Sequence, residues 1–191
     1  MSPDLSRRQF LGASAAAAAG FPVAAAAQTS ATGAAAPLEF TLNGERRQLD
    51  VEPRVTLLDL LRERMSLTGT KKGCNEGACG VCTVLIDGKR MNACLVLSVQ
   101  CAGREVVTIE GIAAANGDLH PVQQAFIDHD AFQCGYCTPG QVISAVACIR
   151  EGHATDEPTV REWMSGNICR CAAYPQITAA VLDAAQKVGR G

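Results

Sequence analysis

Residues 73–94 read GCNEGACGVCTVLIDGKRMNAC, and this stretch decides the fold. It holds four cysteines with gaps of four, two and eleven residues between them: Cys74, Cys79, Cys82 and Cys94. The first three follow the spacing of a tight loop that wraps a 2Fe–2S cluster, with a distant fourth cysteine closing the site. The stretch therefore predicts an iron–sulfur centre held by these four thiolates.

The loop is rich in small residues, as expected of a backbone that curls around a cluster. These residues are Gly73, Gly77, Ala78 and Gly80. Glycine also tolerates the positive φ angles that such a curl needs. Because a cluster bound by four thiolates is negatively charged, we expect backbone N–H groups, together with Lys71 and Lys72, to offset that charge.

Zinc binding and disulfide bonding are the two other common uses of clustered cysteines. A structural zinc site is usually built from two short cysteine pairs that a longer run separates. Three cysteines in one nine-residue, glycine-rich loop fit that pattern poorly. Disulfides fit no better, since three cysteines this close cannot all pair without strain. The spacing and the loop composition favour the iron–sulfur interpretation.

The bulk composition limits the remaining classes. The chain has 191 residues, of which 48% are hydrophobic and 19% charged, which indicates a globular protein of one medium or two small domains. Its net charge is −2 and it has no basic block, which argues against nucleic-acid binding. Ten cysteines are many for this length, so we expect cysteine chemistry to dominate the function.

The first residues predict an export signal instead of folded structure. Arg7 and Arg8 lie in the twin-arginine sequence SRRQFL, and a weakly apolar, alanine-rich stretch follows up to residue 27. We predict a twin-arginine signal peptide at 1–27, a linker at 28–37 and a periplasmic protein exported in its folded state. The apolar stretch is too short and too poor in Leu and Ile to predict a membrane span.

The first half of the remaining chain has strand periodicity and two strong turn signals, Asn43-Gly44 and Asp87-Gly88. Thr56 precedes an amphipathic stretch and predicts a helix cap. The predicted strands are 38–42, 48–51, 83–86, 90–93 and 105–109, and the predicted helix runs from Thr56 to about Met65. This pattern predicts a small mixed sheet with one packed helix at 38–112, which resembles the β-grasp, plant-type ferredoxin fold.

The second half has helical patterns. His120-Pro121 and Thr138-Pro139 predict helix starts, the latter with Thr138 as the cap and a helix that runs to about Arg150. Further helices are predicted at 158–164 and 176–188. Residues 113–191 therefore predict a bundle of about four helices, and the chain as a whole an α+β protein.

A second set of cysteines lies in this helical half. Its members are Cys134, Cys137, Cys169 and Cys171. They form a C-x2-C pair and a C-x-C pair with 31 residues between them, and alone they would suit a zinc site or a redox dithiol. With an iron–sulfur loop upstream, a second 2Fe–2S cluster is the better interpretation. Cys101 and Cys148 lie outside both patterns and are expected in the core.

Together these motifs resemble the iron–sulfur subunit of the molybdenum hydroxylases, the xanthine dehydrogenase and aldehyde oxidase family. The matching stretches are GTKKGCNEGACGVCTV, LHPVQQAF, QCGYCTPG and SGNICRC. With the export signal, the chain looks most like the iron–sulfur subunit of a periplasmic aldehyde oxidoreductase. The resemblance implies an outer cluster on the first cysteine set and an inner cluster on the second. It also implies that Gln133 and Cys171 approach the pterin of a molybdenum cofactor.

The implied function is electron transfer within an oxidoreductase complex. The implied partners are a large molybdenum–molybdopterin subunit and a flavin (FAD) subunit or a cytochrome-type acceptor. No nucleotide motif or acid–base constellation stands out, so no catalytic residue is predicted in this chain. An N-heterocycle hydroxylase of the isoquinoline or nicotinate type, a stand-alone periplasmic electron carrier and a zinc-stapled interaction protein are the alternatives.

One position departs from the pattern of the family. Many members follow the CRC motif with Thr-Gly-Tyr, whereas this chain has Ala172, Ala173 and Tyr174. If position 173 requires a positive φ, alanine would be strained there.

Overall fold

Two tight hairpins supply four of the five strands in the computed structural model, which describes residues 34–189. In the first hairpin, β1 (Ala36–Leu42) pairs antiparallel with β2 (Glu45–Val51). In the second, β3 (Thr83–Ile86) pairs antiparallel with β4 (Lys89–Asn92). All four turn residues have positive φ, as a type I′ turn requires. The structure therefore confirms both turns predicted from Asn-Gly and Asp-Gly.

The fifth strand, β5 (Glu105–Val107), lies in the middle of the sheet, whose order is β2-β1-β5-β3-β4. It runs parallel to β1 and antiparallel to β3, so the sheet is mixed. β5 ends two residues before the predicted end. The Thr108 N–H donates to the Asn43 side-chain oxygen at 2.8 Å instead of to a neighbouring strand, and a 3₁₀ turn follows at Ile109–Gly111.

One helix covers one face of this sheet. The Thr56 hydroxyl accepts from the Asp59 N–H at 3.1 Å, which confirms the predicted cap. The segment begins as an α-helix at Leu57–Asp59 and continues as a π-helix at Leu60–Arg64, and we call both parts together α1. Its four leucines are completely buried against the sheet. Two 3₁₀ turns, Ala93–Leu95 and Ser98–Cys101, connect β4 to β5.

Four further helices follow: α2 (Pro121–Asp128), α3 (Thr138–Arg150), α4 (Glu157–Met164) and α5 (Tyr174–Val188). His120 caps α2 through its ring nitrogen, and Asp156 caps α4. The prediction that Thr138 caps α3 is wrong. Cys137 occupies the cap position, Thr138 is already helical, and its buried hydroxyl has no partner among the described residues.

Strand β3 joins the two halves because it is buried on both faces, as the consecutive apolar residues 84–86 suggest. Val84 and Ile86 pack into the core between the sheet and α1. Leu85 points the other way and packs against Ile143 and Ala147 of α3. The sheet therefore lies between α1 on one side and the helical half on the other, in the predicted α+β class.

The predicted signal peptide, and with it Arg7 and Arg8, lies outside the described residues. β1 begins at Ala36, so the last two residues of the predicted linker belong to the first strand. Within residues 34–189, no helix is both long enough and apolar enough to cross a membrane.

Candidate metal centres

The first cysteine site is built by a loop that turns backbone N–H groups towards sulfur. The Cys74 sulfur accepts from the N–H groups of Glu76 at 3.5 Å and Ala78 at 3.3 Å. The Cys79 sulfur accepts from the Cys74 N–H at 3.4 Å. Such N–H···S contacts stabilise thiolates and tune the potential of a cluster. The contacts expected from the negative charge of a cluster are therefore present.

The small residues of this loop serve two different needs. Gly77 (φ +80°) and Gly80 (φ +69°) lie in the left-handed region that favours glycine. Gly73 avoids a steric clash instead, because a Cβ there would lie only 2.8 Å from the Cys79 sulfur. That Lys71 and Lys72 offset the charge of a cluster stays a prediction. The Lys72 ammonium pairs with Asp59 at 2.7 Å, and Lys71 donates to a backbone carbonyl.

The thiols of this first site differ strongly in their ionisation. The Glu76 N–H, with the neighbouring Cys79 thiol, lowers the pKa of Cys74 from 9.0 to about 7. Burial raises the pKa of Cys82 to about 12, and its thiol shares a hydrogen bond with Cys94. A buried thiol of this kind becomes a thiolate only when a metal ion supplies the compensating charge.

The second site repeats this arrangement at the ends of helices. The Tyr136 N–H, with the neighbouring Cys171 thiol, lowers the pKa of Cys134, whose side chain is exposed. Burial raises the pKa of Cys137 to about 12, and its thiol lies beside that of Cys169. The packing of α3 against the segment after α4 therefore brings together two cysteine pairs that lie 31 residues apart in the sequence.

At both sites the thiols meet two by two. The pairs are Cys74–Cys79, Cys82–Cys94, Cys134–Cys171 and Cys137–Cys169. All ten cysteines are free thiols, so none of these eight is used in a disulfide. A 2Fe–2S cluster needs two thiolates on each of two irons, whereas a structural zinc ion needs four ligands around one centre. The donor set therefore fits two binuclear clusters.

The two sites share one cavity of about 180 Å³. Its walls include Cys74 and Cys79 from the first site and Cys134 and Cys137 from the second. Two hydrogen bonds also tie the sites together. The Ile168 N–H donates to the Cys79 carbonyl at 2.9 Å, and the Tyr136 hydroxyl donates to the Lys72 carbonyl at 2.7 Å.

The structure also places the two residues that were expected near a pterin, Gln133 and Cys171, and the two cysteines outside both sites. Gln133 is exposed next to Cys134. Cys171 is half-buried. Cys101 and Cys148 are completely buried in the sheet core and the helical core, which confirms their assignment to the core.

The expected strain after the CRC motif falls on a different residue. Ala172 has φ +61°, whereas Ala173 has φ −73° and is buried in the helical core. Position 173 therefore does not require glycine in this chain, and the left-handed residue is the exposed alanine before it.

Sequence reasoning missed the role of Asn167. Its side chain is buried between the loop of the first site and helix α3, where it bonds Gly80 and Ser144. The sequence offered only its place in SGNICRC, two residues before Cys169, and no spacing rule assigns a contact to it.

Comparison with known proteins agrees with this geometry. Residues 40–102 match the model of the 2Fe-2S iron-sulfur cluster binding domain, and residues 108–182 match that of the 2Fe-2S binding domain. The chain is 52% identical over 167 residues to the aldehyde oxidoreductase iron-sulfur-binding subunit of Escherichia coli, covering 80% of this chain and 72% of the relative. It is 43% identical over 152 residues to the nicotine 6-hydroxylase small subunit of Paenarthrobacter nicotinovorans, covering 80% and 91%.

Among solved structures, the fold is similar to that of a chain of quinoline 2-oxidoreductase from Pseudomonas putida 86. The TM-score is 0.78 at 43% identity, and the match covers 82% of this chain and 98% of the other. The likeness therefore includes both cysteine sites and the sheet and helices that hold them.

Proposed function

The chain belongs to the iron–sulfur subunits of the molybdenum hydroxylase family, and we propose that it carries single electrons from a molybdenum centre on a large partner subunit to an acceptor. The outer cluster is held by Cys74, Cys79, Cys82 and Cys94. The inner cluster is held by Cys134, Cys137, Cys169 and Cys171. When bound, each cluster supplies one-electron redox chemistry, so a two-electron oxidation on the partner requires two passages through this chain.

The observation that carries this proposal is the closeness of the two sites. Cysteines of both line one small cavity, and the Ile168 N–H, next to Cys169, donates to the Cys79 carbonyl at 2.9 Å. This bond connects the backbone of a ligand in the first set directly to the residue that precedes a ligand in the second. A stand-alone carrier needs only one cluster domain, whereas two adjacent sites suit a relay between two partners.

The inner site is the end that meets the molybdenum subunit. Gln133 and Cys134 are exposed there, and Cys171 is half-buried, so all three remain accessible to a group bound on a partner. Gln133 has both a donor and an acceptor for a pterin edge. We assign Gln133 and Cys171 to the contact with molybdopterin.

The outer site is the end that meets the acceptor. Leu95, which follows Cys94 directly, is 63% exposed, and Met91 and Leu97 beside it are exposed as well. Exposed apolar side chains of this kind are typical of an interaction surface. We assign this end to a flavin subunit that binds FAD or to a cytochrome-type acceptor.

An aldehyde is the proposed substrate of the complex, with a carboxylate as product. The support is the 52% identity to an aldehyde oxidoreductase subunit. Hydroxylation of an N-heterocycle is the second candidate, because the chain is also 43% identical to the nicotine 6-hydroxylase small subunit. In either case this chain transfers electrons and leaves the chemistry on the substrate to its partner.

The complex is proposed to work in the periplasm after twin-arginine export in the folded state. Eight closely spaced ligand thiols support this route, because an oxidising compartment would convert them to disulfides before clusters could form. Loading the clusters in the cytoplasm, before export, avoids that competition.

The test is purification from the native host through a C-terminal tag, separately from periplasmic and cytoplasmic fractions, with iron and molybdenum assays. We expect about four irons per chain, molybdenum and a much larger partner, since two 2Fe–2S clusters need four irons. Cys137→Ser is expected to remove about half of the iron, whereas Cys148→Ala, a buried cysteine outside both sites, keeps it.

The same purification separates the remaining alternatives. Four irons without molybdenum or a partner would identify a free electron carrier, and zinc in place of iron would rule out the redox role. Replacing both Arg7 and Arg8 with lysine is expected to leave the complex in the cytoplasmic fraction. Unchanged periplasmic recovery of that double variant would contradict the export route.

A further inference from the structure

Asn167 links the segments that build the two metal sites. Its side-chain NH₂ donates to the Gly80 carbonyl at 2.8 Å and to the Thr83 hydroxyl at 3.3 Å. Its side-chain oxygen accepts from the Ser144 hydroxyl at 2.7 Å, and its backbone carbonyl accepts from the Gln141 side chain at 3.0 Å. Only 5% of the residue is exposed, so these bonds have no competition from solvent.

Glycines bring these segments into unusually close contact. A Cβ at Gly80 would collide with the carbonyl of Gly166. A Cβ at Gly140, in α3, would lie 2.6 Å from the Gly80 carbonyl. The outer-site loop, helix α3 and the loop before Cys169 therefore meet backbone to backbone, and the Asn167 side chain occupies the junction.

The junction lies between the ligands of both sites. Gly80 directly follows Cys79, and Asn167 lies two residues before Cys169. The residue between Asn167 and Cys169 is Ile168, whose N–H donates to the Cys79 carbonyl. Any movement of Asn167 relative to Gly80 would therefore change the separation of the two ligand sets.

We propose that Asn167 is a positioning residue that sets the distance and orientation of the two clusters and thereby controls electron transfer between them. The proposal rests on the proposed function, since it requires clusters on both cysteine sets. With clusters bound at both sites, one electron would pass from the reduced inner cluster to the oxidised outer cluster. No bond forms or breaks, and no proton moves.

The Asn167 amide matches this environment at both of its ends. Its NH₂ faces two oxygen atoms and its oxygen faces a hydroxyl donor, so both ends of the amide are used. Asn167→Asp keeps the shape but places a carboxylate oxygen against the Gly80 carbonyl. Because an unpaired buried charge is costly, we expect the two loops to separate at this point.

The test is electron paramagnetic resonance of the full chain, purified anaerobically with its clusters and reduced with dithionite. Each reduced cluster has an unpaired spin, and the dipolar splitting between two spins falls with the cube of their distance. We expect the unaltered chain to show this splitting and Asn167→Asp to show a clearly smaller one while keeping its iron. Exchange of the Ile168 amide hydrogen should also become faster in the variant.

Ser144→Ala provides a milder variant, because it removes a single hydrogen bond to Asn167. It should reduce the splitting in the same direction, and it decides the question if Asn167→Asp does not fold. Arg90→Met is the matched control. Arg90 joins the same two halves through the Trp163 carbonyl at 2.7 Å and Glu151 at 3.2 Å, and neither partner belongs to a cysteine loop.

The outcomes separate this proposal from the function on which it rests. An unaltered chain without about four irons would overturn the proposed function itself. A normal iron content with unchanged splitting in Asn167→Asp, or in Ser144→Ala if the first variant does not fold, would overturn only the positioning role. An equal loss of splitting in Arg90→Met would also overturn it, since any loosening between the halves would then suffice.

Discussion

The two metal sites place the same donor set on very different lengths of chain. The outer site takes three of its four cysteines from nine consecutive residues, and the N–H groups that face its sulfurs come from the same loop. The inner site joins two cysteine pairs that 31 residues separate, at the ends of packed helices. The outer site therefore depends on local backbone geometry, and the inner site on the packing of the helical core.

The largest expected effect tests the dependence of the inner site on packing. Phe126 of α2 is 1% exposed and belongs to the same core cluster as Cys137 and Cys169. Phe126→Ala should destabilise this half by about 3–5 kcal/mol through lost burial and a cavity. We expect the inner cluster signal in the paramagnetic spectrum to disappear, together with lower thermal stability, while the outer signal persists.

Phe132→Ala is the matched control for that variant. Phe132 lies in the same half, close to Cys134, but is 39% exposed. It should change thermal stability little and keep both signals. Loss of both cluster signals together in Phe126→Ala would show that the two sites do not differ in the way proposed.

The second prediction tests the dependence of the outer site on its loop. In Gly73→Ala the new methyl group would lie 2.8 Å from the Cys79 sulfur and 2.7 Å from Val81. Overpacking of this kind costs about 1–3 kcal/mol, and we expect the outer cluster signal to be lost selectively. Gly166→Ala is the control, because a Cβ there meets no atom within 4 Å. An intact outer signal in Gly73→Ala would contradict the close fit of the loop.

The third prediction uses pH to distinguish the caps of the two halves. In the helical half, the His120 ring nitrogen accepts from the Val122 N–H at 3.2 Å and so caps α2 only when neutral. Burial lowers the pKa of His120 below 6.5, so the unfolded chain binds the proton more tightly than the folded chain. The cap contribution, about 0.5–2 kcal/mol, should be complete above pH 6.5 and be lost as the pH falls below it.

Thermal melting across this pH range, followed by amide exchange in α2, checks the prediction. Helix α1 in the sheet half is capped by Thr56, which does not titrate. The amide exchange rates of α1 should therefore not change over this pH range. His120→Asn supplies a cap that keeps its charge state. If that variant shows the same acid response in α2 as the unaltered chain, the response does not come from His120.

The smallest expected effect concerns the turn that leaves the inner site. Ala172 has φ +61° and is exposed, so Ala172→Gly should raise stability by up to about 1 kcal/mol by relieving the left-handed strain. Ala173→Gly should do the reverse, because Ala173 has φ −73° and a buried methyl group. Chemical denaturation of the pair checks both signs. If Ala172→Gly lowered the stability and Ala173→Gly raised it, the backbone strain would lie at position 173.

Sequence reasoning succeeded where the signal is local. The Asn43-Gly44 turn, the Thr56 cap and the His120-Pro121 helix start each depend on a few adjacent residues, and the structure confirms all three. Sequence reasoning was less accurate where a group distant in the sequence forms the hydrogen bond that a neighbouring strand would otherwise form. Strand β5 ends at Val107 because the next N–H group, that of Thr108, donates to the side chain of Asn43, which lies 65 residues away in the sequence.

The sequence by itself determined the class of the protein and the type of each site, because cysteine spacing limits what a short loop can hold. Only the tertiary structure decided which thiols pair, where the two sites meet and how Asn167 joins them. These relations depend on the packing of β3, α3 and the loop before Cys169, which lie far apart in the sequence. Packing of this kind depends on the shapes of many side chains at once, and no spacing along the chain records it.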